Sequence, residues 1–218
     1  MSGLSTFQTI AVAILPLVFA ITVHEVAHGW MAKRLGDPTA QRLGRLTLNP
    51  IKHIDPVGTI LVPGVLLLLG GFVFGWAKPV PVTWENLRNP KRDMAIVAAA
   101  GPGANLLMAV LWAFIAKVGT VLPDSLLWAA TPLYYMGIFG ISINVVLMVL
   151  NLIPLPPLDG GRVAVGLLPG RWSWLLSRVE PYGFFILIGL LVTGLLGVVL
   201  HPPVRGMVNL MLSLMGLI

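Results

Sequence analysis

Long runs in which apolar side chains occupy every face of a would-be helix, and not one stripe, dominate the chain. A helix that is hydrophobic all round is either buried in protein or immersed in lipid. Crossing a hydrocarbon core takes roughly 20 such residues. Four stretches qualify: Phe7–Trp30, Met94–Ala116, Leu127–Ile153 and Tyr182–Leu200. A fifth, Val57–Phe74, is long enough but is interrupted by Pro63, Gly64, Gly70 and Gly71. The apolar tail Met207–Ile218 is too short to be expected to cross. The residues ahead of the first stretch, Met-Ser-Gly-Leu-Ser-Thr, lack the basic segment of a cleavable signal peptide, so that stretch is expected to remain as a span.

Two segments between the runs follow a different pattern. Residues 42–48 alternate Arg45 and Thr47 against Leu46 and Leu48, the period of a short strand. Pro79-Val80-Pro81-Val82 is extended by its prolines, which suit only a sheet edge.

Composition sharpens this picture. Of 218 residues, 57% are hydrophobic and only 10% charged, against ~25% in soluble domains, and the mean hydropathy is +0.91. That balance excludes a soluble enzyme, a disordered chain and a nucleic-acid-binding module. The net charge of +6 therefore concerns membrane orientation. If Val57–Phe74 dips in and returns, all of the 14 Lys and Arg except Lys117 and Arg205 fall on one side. The expectation is an all-α polytopic membrane protein, one domain over residues 1–218, in the lipid bilayer. It has about four transmembrane helices, a re-entrant apolar segment and short β-strands near the cytosolic face, with the amino terminus outside. Five or six spans remain open, because helix breakers also occur within true spans.

An ionised side chain at mid-bilayer costs at least ~2.5–3.5 kcal/mol on insertion scales. Of the eight acidic residues, Asp37, Asp55, Glu85, Asp93, Asp124 and Glu180 lie in loops or at segment ends and read as solvated charges. Glu25 and Asp159 do not. His24-Glu25-Val26-Ala27-His28 is an H-E-x-x-H pentapeptide inside the first span. Residues four apart share a helix face about 6 Å apart along the axis, so both imidazoles can grip one ion. Glu25, displaced by roughly 100°, can reach a water on that ion without binding it.

With no cysteine in the chain, a third ligand must be His, Asp or Glu. His53 and His201 qualify by type only. Asp159 is better placed, because Pro154, Pro156 and Pro157 must unwind the third span just ahead of it.

These residues resemble the site-2 proteases, zinc metalloproteases that cut substrates within the membrane. Three motifs carry the resemblance over roughly residues 10–162: His24–His28, Gly101-Pro102-Gly103-Ala104-Asn105, and Asn151-Leu152-Ile153-Pro154-Leu155-Pro156-Pro157-Leu158-Asp159-Gly160. The stretch Gly75-Trp76-Ala77-Lys78-Pro79-Val80 is similar to that of compact members without an appended regulatory domain. The resemblance implies one zinc ion held by His24, His28 and Asp159, with Glu25 as general base and Asn151 steadying the substrate or the developing oxyanion. Asn105 is expected to serve helix packing or local hydrogen bonding beside Ala98-Ala99-Ala100-Gly101, with a catalytic part as the alternative. The implied substrate is a transmembrane protein or peptide, and the implied location is the cell membrane with the active site toward the cytosol. The implied oligomeric state is open.

Two competitors remain at this stage: a transporter or channel using the same ionisable residues as an ion path, and an inactive scaffold. A scaffold has no need of Glu25.

Overall fold

The structure, a computed structural model, describes residues 4–68 and 75–218. Nine α-helices run along those residues: α1 Thr6–Arg34, α2 Thr39–Arg42, α3 Val62–Leu68, α4 Pro90–Val121, α5 Leu127–Asn151, α6 Asp159–Leu167, α7 Gly170–Ser177, α8 Glu180–Val192 and α9 Leu195–Leu214. Among the described residues, α1, α4, α5 and α9 are each long and apolar enough to cross a membrane. The pair α7 and α8, bent by 62°, adds a fifth only if it forms one broken span.

Local chemistry sets the ends of these helices. Ser5 and Gln8 close a reciprocal capping box at the start of α1. At the start of α4, Pro90 occupies a first-turn position whose N–H has no helical partner in any case. Asp93 there accepts the Asn89 N–H at 2.8 Å. α5 stops at Asn151, ahead of the prolines that cannot continue it.

The core lies where α4, α5 and α9 meet, around Ala109, Trp112, Ala113, Ile141, Val145 and Met211. Close approach of α4 and α5 depends on missing side chains. A Cβ on Gly140 would sit 2.2 Å from Trp112 Cγ, and one on Gly137 would sit 2.5 Å from the Ala116 nitrogen. Lipid offers helices no hydrophobic drive to associate, so packing of small residues takes its place. The outward faces carry Phe7, Phe114, Leu107 and Phe185, all exposed. A chain with this surface is an integral membrane protein.

Several expectations are corrected. The span expected over Tyr182–Leu200 is divided, because Gly194 adopts φ +76, ending α8 and opening α9. The tail from Met207, expected to be too short to cross, is the second half of the long α9.

No strand forms at Arg42–Leu48 or Pro79–Val82 among the described residues. Gly44, at φ +65, turns the first segment, and the second has no N–H at Pro79 or Pro81 to offer a ladder. The Arg45 side chain joins the two instead, donating to the carbonyls of Lys78 at 2.8 Å and Pro79 at 3.4 Å.

Asp37 and Asp93, read as solvated, are both buried. Asp37 accepts the N–H of Thr39 and of Thr83, the Thr39 hydroxyl and the Asn86 amide. It thereby ties the end of α1 to the segment 83–86.

The interrupted run begins as a wide π-type turn over Pro56–Leu61, capped by Asp55, and passes into α3. Residues 69–74 of this run lie outside the described residues. Beyond them the Trp76 N–H donates to the Gly58 carbonyl at 3.0 Å, and the Lys78 N–H to that of His53 at 3.0 Å. Entry and exit of the run therefore lie side by side.

Candidate metal centre

His24 and His28 stand one turn apart on α1, their rings edge-on with centroids 4.6 Å apart. α4 supplies the floor beneath them. A Cβ on Gly101 would lie 2.4 Å from His28 Nε2 and 2.6 Å from His24 Cε1, so only glycine admits both rings here. Gly101 had been expected to serve helix packing alone.

Asp159 arrives from the far side. After α5 ends, the proline segment turns the chain, and Asp159 opens α6. That turn is packed too tightly for side chains. A Cβ on Gly161 would meet the Pro156 nitrogen at 2.1 Å, and one on Gly183 of α8 would meet the Pro156 carbonyl oxygen at 1.7 Å. The region of α8 carried no motif, yet it buttresses the segment that delivers Asp159.

The three residues converge. His24 Nε2 and His28 Nε2 are 3.0 Å apart, and Asp159 Oδ2 lies 3.2 Å from the first and 3.3 Å from the second. Among the described residues this is the one group of three that can offer ligand atoms to a single ion. The other ring nitrogens decide what these contacts are. His24 Nδ1 lies 2.6 Å from Asn105 Oδ1, and His28 Nδ1 lies 2.7 Å from the Val97 carbonyl oxygen. Both partners only accept, so each Nδ1 carries the proton and each Nε2 presents a lone pair. Three lone pairs then face one another with no proton between them, and Asp159 Oδ2 is buried without a hydrogen-bond donor. That arrangement repels itself unless a cation lies within it. A divalent ion fits this donor set, and three protein ligands leave one position open for water.

Glu25 is half-buried beside the cluster and does not join it. Its Oε2 accepts the Val80 N–H at 2.7 Å. Val80 sits against α1 at Gly29, where a Cβ would come within 2.8 Å of Val80 Cγ1 and 2.7 Å of Leu46 Cδ2.

Asn151 ends α5 with its amide donating to the Leu147 carbonyl at 2.9 Å. His53 is buried with Nε2 on the Thr47 carbonyl at 2.9 Å, and His201 is exposed on α9; neither enters the cluster. Outside the charged set, Asn105 and Asn144 are wholly buried and bonded to each other behind His24. Asn105, expected to serve packing or local hydrogen bonding, makes the hydrogen bonds. Asn144 was missed, although an amide inside an otherwise apolar span is a signal in its own right.

Comparison with known proteins shows the family. The sequence profile of peptidase family M50 matches residues 12–126. YwhC of Bacillus subtilis, named as a zinc metalloprotease, is 40% identical over 87% of this chain and 84% of its own length. The chain belongs to peptidase family M50. This is the site-2 protease family, and membership gives the protein its enzyme class, that of a zinc metalloprotease. Rip2 of Mycolicibacterium smegmatis is 31% identical over 81% of the chain, which spans 64% of that relative. MJ0611 of Methanocaldococcus jannaschii is 37% identical over 75% of the chain and 72% of its own length. Both carry names of zinc metalloproteases as well. No solved structure matches the chain.

Proposed function

We propose that this M50 protein is an intramembrane protease that hydrolyses peptide bonds of membrane-embedded protein substrates, with zinc held by His24, His28 and Asp159. The observation that carries the reading is the convergence of two imidazole lone pairs and a buried carboxylate oxygen, 3.0–3.3 Å apart, with both Nδ1 protons committed to oxygen acceptors. The family assignment supports it.

Zinc held there would supply Lewis acidity toward the scissile carbonyl and would lower the pKa of a nearby water. As a water oxygen adds to the carbonyl carbon, Glu25 takes its proton on the carboxylate oxygen not held by Val80, then delivers it to the amine as the C–N bond breaks. The Val80 N–H keeps the carboxylate aimed while the proton moves. Asn151 turns its amide from Leu147 toward the oxyanion, a contact worth ~2.7–4 kcal/mol in other hydrolases. A substrate must reach the site unwound, since a helix hides its carbonyls in its own hydrogen bonds.

The adjacent ends of the run that starts at Pro56 support re-entry in preference to a crossing. With re-entry, the basic residues gather on the face that carries Trp30 and Asp159, which makes that face cytosolic and favours the plasma membrane. An ion path would string its ionisable groups through the depth of the bilayer, whereas these gather at one point.

The deciding experiment reconstitutes the full chain and its Glu25→Gln variant with a single-span substrate. Zinc is assayed and the products are mapped by mass. About one zinc per chain in both proteins, with cleavage by the parent alone, is the expected result. A fully active Glu25→Gln protein would remove Glu25 from its role, and parent protein devoid of zinc without chelators would remove the metal site.

A further inference from the structure

Two buried amides form a chain behind His24. On α5, the Asn144 Nδ2 donates to the Gly140 carbonyl at 2.9 Å, which turns Asn144 Oδ1 toward α4. There it accepts from Asn105 Nδ2 at 2.9 Å. The same Asn105 nitrogen donates its second proton to the Ala20 carbonyl on α1 at 3.2 Å. With both amide protons so placed, Asn105 has only Oδ1 to offer His24 Nδ1, 2.6 Å away. Neither asparagine has any exposed surface, so no water competes for these bonds.

We propose that Asn144, acting through Asn105, is a positioning residue that fixes the ring tautomer of His24 and so keeps its Nε2 lone pair available to the metal. An amide is nearly symmetric in shape, and nothing in its own bulk tells Asn105 which end faces the ring. The Asn144 oxygen and the Ala20 carbonyl make that choice together, each holding one proton of the NH2. Without the Asn144 oxygen, one amide proton of Asn105 is buried with no acceptor and only the longer bond to Ala20 holds the amide. The balance then moves toward the turned form, whose NH2 on His24 Nδ1 drives the ring proton to Nε2 and blocks the ligand atom. His28 is insulated from the change, because its Nδ1 rests on the backbone carbonyl of Val97. The two metal histidines thus differ in kind: one is held by main chain, the other by a side-chain relay reaching the middle of a third helix. The inference rests on the metal-site reading for its consequence, but the tautomer itself does not.

The test uses the full chain in micelles, with histidine nitrogens labelled and metal removed by chelator. Nitrogen NMR of the parent protein should show His24 protonated at Nδ1. A parent His24 protonated at Nε2 overturns the proposal with no variant needed, and leaves the protease reading standing. In Asn144→Leu, His24 should shift toward Nε2–H while His28 stays unchanged, and zinc affinity measured by chelator competition should fall 10–100-fold, as for other residues behind a metal ligand. Cobalt in place of zinc should show altered visible bands. Asn144→Asp keeps an acceptor oxygen for Asn105 and should hold zinc affinity within about threefold. A purely packing role predicts that Asn144→Leu lowers thermal stability while zinc affinity, cobalt spectrum and tautomer match the parent; that outcome also overturns the proposal.

Discussion

Val80 donates its backbone N–H to Glu25 Oε2 across 2.7 Å, joining the proposed proton-transfer residue on α1 to a segment 55 positions away in sequence. The flanking residues are prolines, so no neighbouring N–H can substitute. Arg45 steadies the same segment through the carbonyls of Lys78 and Pro79. The Glu25 carboxylate is thus oriented by a non-helical loop, and under the proposed roles its orientation can be lost without touching His24, His28 or Asp159.

Val80→Pro deletes that one donor. Cleavage should fall about 10–100-fold, the scale of a misplaced catalytic group, while zinc content stays at the parent level. Arg45→Met should give a smaller loss of the same kind, because it loosens the segment and leaves the N–H in place. Cleavage rates and metal analysis on the same preparations check both. Parent-level cleavage by Val80→Pro would show that Glu25 aims itself.

Gly101→Ala tests the floor of the site. Its Cβ would lie 2.4 Å from His28 Nε2, a distance real contacts do not reach, so a ring must leave its place. Zinc bound per chain should drop well below one, with cleavage lost in parallel. Gly103→Ala, two residues on, meets open space and should bind zinc and cleave like the parent. The pair separates a site defect from a general intolerance of side chains in this motif.

How much of this was legible follows from what hydropathy and spacing can register. The three-residue cluster was readable because H-E-x-x-H places two rings on one face, and because three prolines before Asp159 leave little choice but a helix break. The spans α1, α4 and α5 were readable because their apolar runs end at charges or prolines. The division between α8 and α9 was not, since Gly183, Gly189, Gly194 and Gly197 occur in one continuous apolar run and only Gly194 of them adopts a positive φ. Residues 42–48 and 79–82 read as strands because alternation and prolines signal extended backbone, not its partner. What faces them is an arginine side chain and a carboxylate. Asp37 and Asp93 read as solvated because a sequence gives their distance from the spans, not the backbone N–H groups that later surround them.

Removal of the metal ties these helices to stability. His24 and His28 come from α1 and Asp159 from the start of α6, so an ion among them joins two elements far apart in sequence. Ligand bound to the folded state alone stabilises by RT ln(1 + [L]/Kd), about 4 kcal/mol at a thousandfold excess over Kd. Chelator should therefore lower the thermal midpoint of the parent protein, and added zinc should restore it. Asp159→Ala should show the lower midpoint with or without chelator. A parent midpoint indifferent to chelator, at zero measured zinc, would mean the ion contributes no folding energy.

The last prediction concerns acid. Burial pushes the Asp37 carboxyl upward, but the donors on it, from Thr39, Asn86 and the Thr83 and Thr39 backbone, outweigh that and hold its pKa below the ordinary aspartate value. A folded pKa below the unfolded one means a contribution to stability that is fully present above the unfolded value of about 3.9. It is lost as pH falls through the lower folded value. Amide exchange at Thr83 and Leu87, and the thermal midpoint, should therefore be insensitive to this group between about pH 5 and 8 and should respond only below about pH 4. Asp37→Asn turns an acceptor into a donor facing other donors, at a cost of about 1–3 kcal/mol, and should expose the segment 83–86 to exchange even at pH 7. Because that segment leads back to Val80, the same variant should slow cleavage while zinc content is retained. An Asp37→Asn protein with unchanged exchange at Thr83 would show that the buried carboxylate does not hold the loop.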